Sequence, residues 1–366
     1  MPTTPRATAD PDPYPIDLSR LPELARHGLD GSAWEYVSSA AGDSAHANAW
    51  GWHELRLRPH VLRDVSTVST VTPLLGTTSP LPILIAPTAM HRLACDDGEL
   101  ATARAASRAG VTYVVSTMAT TSIEDIAKEA PDAPRWMQAY VTRDRGRSRV
   151  MVERAAAAGC TAVVLTVDSP GTSLEPSHQR QSLNGGLALP NLAPDDADPD
   201  VLTLAADYAA DLTFDDLAEI RSWTGLPLVV KGVTRGDDAR RCLDAGADAI
   251  AVSNHGGRQV PGCVPTAVAL DSVVEAVAGR CEVYVDGGLR SGADVLKALA
   301  LGATAAMIGR PVWWGLGIAG ERGAHGVLHA FGQDLRRVMA LCGVADARDV
   351  PRDLVCRMPV PPAPGL

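Results

Sequence analysis

From residue 81 onward the chain alternates short, almost uninterrupted apolar runs with longer Ala-rich stretches in which apolar residues recur at helical spacing. The runs are LPILIAP (81–87), TYVVS (112–116), RWMQAY (135–140), TAVVLTVD (161–168), LPLVVKG (226–232), DAIAVSN (248–254), EVYVDGG (282–288) and TAAMIGR (304–310). Runs of this length, apolar on both faces, are expected of parallel strands that helices cover. Between them lie amphipathic segments such as GELATARAASRAG, SRVMVERAAAAGC, GDDARRCLDAG and GADVLKALALG, several ending in the glycine that closes a helix. Eight such units predict an α/β fold, a (β/α)8 TIM barrel. The rival, an open doubly wound sheet, would place a GxGxxG turn after its first strand, and none follows LPILIAP.

Residues 16–65, including LPELARHGLDGSAWEYVSSAAG, read as an N-terminal helical cap rather than a separate domain. After strand 4, residues 169–212 are rich in Pro, Asp and Gly and far longer than an ordinary strand-to-helix loop, so they read as a mobile lid or a disordered segment. Residues 1–14 are expected to be a disordered arm, 15–350 a single barrel domain, and 351–366, which end in PVPPAPGL, a tail.

Composition narrows the function. A 366-residue chain that is 46% hydrophobic buries a large core. Its net charge of −10, with 33 Lys and Arg scattered along it, argues against nucleic-acid and anionic-membrane partners and for a small molecule. No apolar run approaches the length of a membrane span, and the first residues carry no signal-peptide core. Seven cysteines without a CxxC pair suggest neither a disulfide framework nor a metal site, and fit a reducing cytoplasm.

In a barrel, chemistry sits at the C-terminal ends of the strands. There the apolar runs end in Thr88, Ser116, Gln138, Tyr140, Thr166, Asp168, Lys231, Ser253, His255, Arg258, Asp286, Arg290 and Arg310. Any one of these serves equally well as a turn former or helix cap; their placement at one end of nearly every strand points to a site. VDGGLRSG and MIGRP each pair glycine with arginine after strands 7 and 8, where barrels commonly hold phosphate, so a phosphorylated ligand is expected. Lys231, emerging among apolar side chains, must neutralise something, through a Schiff base or beside a negatively charged cofactor. If Asp168 meets His255, the pair has the logic of an oriented general base.

SNHGGRQ (253–259), together with LPILIAPTAM, LTVD, VVKG, VDGGLRSG and KALALGATAAMIGRP, resembles the FMN-dependent 2-hydroxy-acid oxidases and dehydrogenases, which include glycolate, lactate and mandelate oxidases. The resemblance runs from about residue 15 to about residue 350. It implies FMN over the barrel mouth, held by Pro87, Thr88, Ala89, Ser116, Gln138, Thr166 and Ser253, with Lys231 beside the ring. Asp286, Gly287, Gly288, Arg290, Gly309 and Arg310 would hold the phosphate. His255 would take a proton from a 2-hydroxy acid, by a hydride or a carbanion route, with Asp168 supporting the imidazolium. Tyr140 and Tyr36 would lie near the substrate, and Arg258 would clamp its carboxylate. Oxygen would reoxidise the flavin to give hydrogen peroxide, and the family suggests a homotetramer.

The chain departs from that pattern after LTVD. Where the family carries Gly-Arg-Arg it has Ser173, Leu174 and Glu175, so one carboxylate-binding cation is missing unless Arg180 replaces it. A lost charge-assisted contact costs about 1.5–3 kcal/mol. Val260 and Pro261 replace the family's Leu-Asp, and Met118 stands where glycolate oxidases tend to have tryptophan. The preferred reading is oxidation of an unusual 2-hydroxy acid, or of a 2-hydroxyacyl group with a masked carboxylate, in a specialised biosynthetic route. Oxidation of an amine-bearing carbon or an oxidative decarboxylation is the alternative, and a non-catalytic FMN-binding protein the remaining one.

Overall fold

A computed structural model describes residues 13–170, 187–192 and 207–357. All eight expected strands form: β1 (Ile83–Ile85), β2 (Tyr113–Val115), β3 (Arg135–Ala139), β4 (Val163–Thr166), β5 (Leu228–Val233), β6 (Ala249–Val252), β7 (Glu282–Val285) and β8 (Ala305–Ile308). They pair in parallel in chain order and close into a barrel, with Ala306, Met307 and Ile308 of β8 in register with Ile83, Leu84 and Ile85 of β1. The α/β TIM barrel read from the sequence is thus the fold. Alternate residues divide between two cores, as the period of a strand requires. Leu84, Val114, Trp136, Val164, Val229 and Tyr284 fill the barrel, while Ile83, Val115, Met137, Leu165, Val230 and Val285 face the helices. A short hairpin, Thr72–Leu74 with Thr77–Ser79, closes the floor, its Leu74 joining the inner core.

The cap comprises α1 (Leu21–Gly28), α2 (Gly31–Ser38) and α3 (Ser44–Glu54). Asp30 caps α2 by accepting from the Ala33 amide at 2.8 Å. Helix α1 packs on the long terminal helix Arg310–Leu341, where a Cβ on Gly28 would lie 2.9 Å from the Gly317 carbonyl oxygen. Residues 351–357, read above as the start of a tail, are instead part of the body. Leu354 is fully buried, and Val355–Arg357 pairs antiparallel with Leu55–Leu57 behind the cap. At the other end the chain is already docked at Tyr14, whose amide donates to the Arg322 carbonyl.

The long connection after β4 touches down at Leu189–Leu192, where Asn191 bonds the Ile123 amide and the Thr121 carbonyl. Its residues 171–186 and 193–206 lie outside the described residues, and with them Ser173, Leu174, Glu175 and Arg180. No helix among the described residues is long and apolar enough to cross a membrane.

Candidate active site

The barrel mouth opens into a pocket lined from the ends of all eight strands and roofed by Tyr36 and Val37 of α2. The sequence candidates line it with two exceptions, Asp168 and Ser253, which support its wall from behind. The segment following β6 explains the glycines of SNHGGRQ. His255, Gly256 and Gly257 have φ of 58°, 66° and 77°, three successive left-handed residues that turn the chain back over the barrel. Left-handed backbone is costly for a histidine and is tolerated where surroundings enforce it. Here the His255 amide donates to Ser253 Oγ at 3.1 Å, and Gly257 packs so close to α3 that a Cβ would lie 2.5 Å from the Ala45 nitrogen. Asn254 and Asn48 of α3 exchange two amide hydrogen bonds of 2.7 and 2.8 Å, both side chains being buried.

His255 Nδ1 lies 2.8 Å from Asp168 Oδ1. An ionised carboxylate only accepts, so Nδ1 carries the proton and Nε2 is free to accept one. Burial opposes ionisation of Asp168, but its electrostatic contact and hydrogen bond with His255, with Lys231 nearby, hold its pKa below the usual range. The room for Asp168 comes from Gly232, at the bulge where β5 shifts register: a Cβ there would lie 2.7 Å from Asp168 Cβ.

Lys231, 3% exposed, donates from Nζ to Ser253 Oγ at 2.7 Å and lies 3.0 Å from Asp286 Oδ2. Burial works against its charge, yet Asp286 and Asp168 raise its pKa above the ordinary lysine value. Across the pocket, Gln138 is fixed by the Thr117 amide and by Thr166 Oγ1. Thr88 Oγ1 is tied at 2.6 Å to the buried His91. Ser116 Oγ accepts from the Met118 amide, and the Ala89 carbonyl, one residue beyond Pro87 and Thr88, accepts from Trp313.

At the far end, Arg290 lies over Trp314 and Arg310 bonds the Val37, Ser39 and Gly256 carbonyls, tying the cap to the histidine loop. Burial pushes the Arg290 pKa down to about 10; burial, with Arg258 and Arg290 nearby, pushes Arg310 down to about 9. Arg310 uses three of a guanidinium's five N–H groups on those carbonyls. Buried, mutually repelling cations with donors to spare call for an anion. Beside them Gly287 and Gly288 adopt φ of 87° and 86°, and Asp286 Oδ1 is buried without a partner, an acceptor suited to a ligand hydroxyl. These residues fit a phosphorylated, hydroxyl-bearing cofactor such as FMN.

Tyr36, Tyr140 and Arg258 face one another above His255. Arg258 Nη1 donates to the Tyr36 carbonyl at 2.8 Å, and its guanidinium carbon lies 5.0 Å from the centre of the Tyr36 ring. Burial raises the pKa of both phenols, so they remain neutral donors. Tyr208 joins them, stacked on Tyr140 with ring centres 4.3 Å apart, and sequence reasoning missed it. The available signal was a lone aromatic in the AADYAAD return of the long connection, in a chain with only six tyrosines.

Comparisons with known proteins agree with this geometry. The model of the family described as FMN-dependent dehydrogenase matches residues 25–357. An L-lactate oxidase of Nostoc sp. is 42% identical over 355 residues, 92% of this chain and 96% of that protein. A 4-hydroxymandelate oxidase of Amycolatopsis orientalis is 40% identical, covering 90% of this chain and 94% of its own length. The solved structure of a mandelate oxidase variant with 2-hydroxy-phenylacetamide superimposes with a TM-score of 0.81 at 40% identity, over 92% of this chain and 96% of that one. With the barrel, the buried arginine pair and the His–Asp pair at its mouth, these matches establish that the chain belongs to the FMN-dependent dehydrogenase family.

Proposed function

We propose that this protein is an FMN-dependent oxidase that converts the CH–OH carbon of a 2-hydroxy acid, or of a 2-hydroxyacyl compound, to the 2-oxo product. The observation that carries the reading is the His255–Asp168 pair at the pocket wall, with charged Lys231 in the same pocket. When bound, FMN would supply the acceptor for two electrons, with oxygen as the final acceptor and hydrogen peroxide as its product. Pro87, Thr88, Ala89, Ser116, Gln138, Thr166, Lys231 and Ser253 hold or back its ring, and Asp286, Gly287, Gly288, Arg290, Gly309 and Arg310 its ribityl phosphate. His255 Nε2 takes the proton from the substrate, and Asp168 steadies the imidazolium that results. Lys231, kept positive, favours negative charge in its vicinity. Arg258, with the neutral phenols of Tyr36 and Tyr140, binds the acyl oxygens.

Among the described residues Arg258 is the cation beside the two phenols, and, shared with backbone carbonyls, it suits a neutral acyl group as well as a carboxylate, which favours including esters and amides among the substrates. The mandelate oxidase variant solved with 2-hydroxy-phenylacetamide is a precedent in a relative. We further propose a homotetramer in the cytoplasm, the latter from seven cysteines that are all unpaired.

Mixing the yellow protein without oxygen with a panel of 2-hydroxy acids, their esters and amides tests the reaction. Bleaching by at least one class is expected. The His255→Ala variant should keep its FMN while kcat falls by about 10²–10⁴-fold, the usual worth of a general base; a colourless protein or an active alanine variant would overturn the assignment.

A further inference from the structure

Beyond the catalytic pocket lies a second cavity of about 310 Å3 between the C-terminal ends of β4 and β5 and the helices outside them. The two spaces share Tyr140, Thr166, Ser169 and Tyr208 as a common wall. On the scale by which one water needs about 10–15 Å3, the second space takes a substituent of many heavy atoms. Its own lining combines an apolar side, including Val141, Leu212, Phe214 and Leu217, with hydroxyl groups such as Thr213 and Thr234, and among the described residues it contains Asp238 and no lysine or arginine.

Tyr208 is built as a door in this wall. Its backbone is pinned, the Arg143 amide donating to the Asp207 carbonyl and the Ala209 amide to the Val141 carbonyl, each at 2.8 Å. Its side chain is held differently. The ring, 4% exposed, stacks on Tyr140, and its hydroxyl is buried with no hydrogen-bond partner among the described residues. Turning the ring aside therefore breaks no hydrogen bond, and leaving it in place strands a donor that a substrate oxygen would satisfy.

We propose that the second cavity is a subsite for a bulky, uncharged substituent of the substrate, and that Tyr208 governs entry to it. The proposal rests on the 2-hydroxy-acid reading above. Among the described lining residues no lysine or arginine stands to hold an anionic tail, while an aryl or branched alkyl tail finds apolar side chains in Val141, Leu212, Phe214 and Leu217.

Thr234 lines the second cavity and not the first, so Thr234→Phe fills the subsite without touching the chemistry. Relative to wild type it should lower kcat/KM for 3-phenyllactate about tenfold, within the span one hydrophobic pocket commands, and leave lactate within about twofold. Tyr208→Ala reads in the opposite direction: removing the door should raise the phenyllactate-to-lactate ratio about tenfold. Misfolding of one variant, seen as lost FMN, leaves the other to decide, and an unchanged ratio in a folded variant overturns the proposal. Binding of pyruvate and phenylpyruvate, read from the flavin absorbance, separates this failure from failure of the reaction. A protein that oxidises no 2-hydroxy acid, yet loses phenylpyruvate affinity alone in Thr234→Phe, would sink the reaction and keep the subsite.

Discussion

Asp168 owes its position to an atom that is missing. Gly232 leaves the space that Asp168 fills, and the carboxylate reaches from there to His255 Nδ1. Asp168→Asn keeps the volume but presents an amide that can donate to Nδ1, which favours the wrong tautomer. It should retain FMN and lose about 10²–10⁴-fold in kcat. The same pair predicts an acid limb. A carboxyl whose folded pKa is depressed contributes stability that is complete above its unfolded value, about 3.9, and is lost as pH falls through the lower folded value. Urea unfolding between acid and neutral pH should show that limb in the wild type and its reduction in Asp168→Asn; identical profiles would count against the pairing. At this scale the sequence was informative where a residue's neighbours in the chain reveal its setting. Lys231 at the end of an apolar run and His255 between Asn254 and two glycines were both visible as site residues. Tyr208 was not, because the partner that gives it meaning, Tyr140, lies at the end of β3 while Tyr208 sits in the long connection after β4.

Helix α3 shows what the elements add. None of its residues is a candidate for chemistry, yet it carries Asn48, which clasps Asn254, and Ala45, which Gly257 abuts. Asn48 Oδ1 also accepts from the Thr266 amide, so one buried amide fixes the start of the helix after β6 as well. Asn48→Ala would leave buried donors and acceptors unpaired and should cost about 1–3 kcal/mol of stability. It should lower kcat and raise KM together, since the loop it releases carries both the base His255 and the acyl clamp Arg258; a change confined to stability would show the clasp to be structural only. The eight strands were legible because each is buried on both faces and so written as an apolar run. The floor hairpin was not, since TPLLGTTS is short and half polar, and only the barrel floor it closes makes Leu74 a core residue.

At the scale of the molecule, the last described residues return to the strand that follows the N-terminal cap. Leu55–Leu57 and Val355–Arg357 form a small antiparallel sheet, and Arg352 bonds Asp271 and the Leu301 carbonyl. A chain ending at residue 350 loses this sheet and the buried Leu354. It should be less stable by about 2–5 kcal/mol, the cost of emptying one buried leucine site, and should hold FMN less firmly; a thermal midpoint equal to that of the full chain would show the segment to be a mere tail. Arg310 carries the same closure into the pocket by bonding the Val37, Ser39 and Gly256 carbonyls. Synthesis runs from the N-terminus, so α1 to α3 leave the ribosome long before Arg310 and residues 355–357 that hold them down. The roof of the cofactor pocket is therefore expected to set late, only after Arg310 and residues 355–357 have emerged from the ribosome.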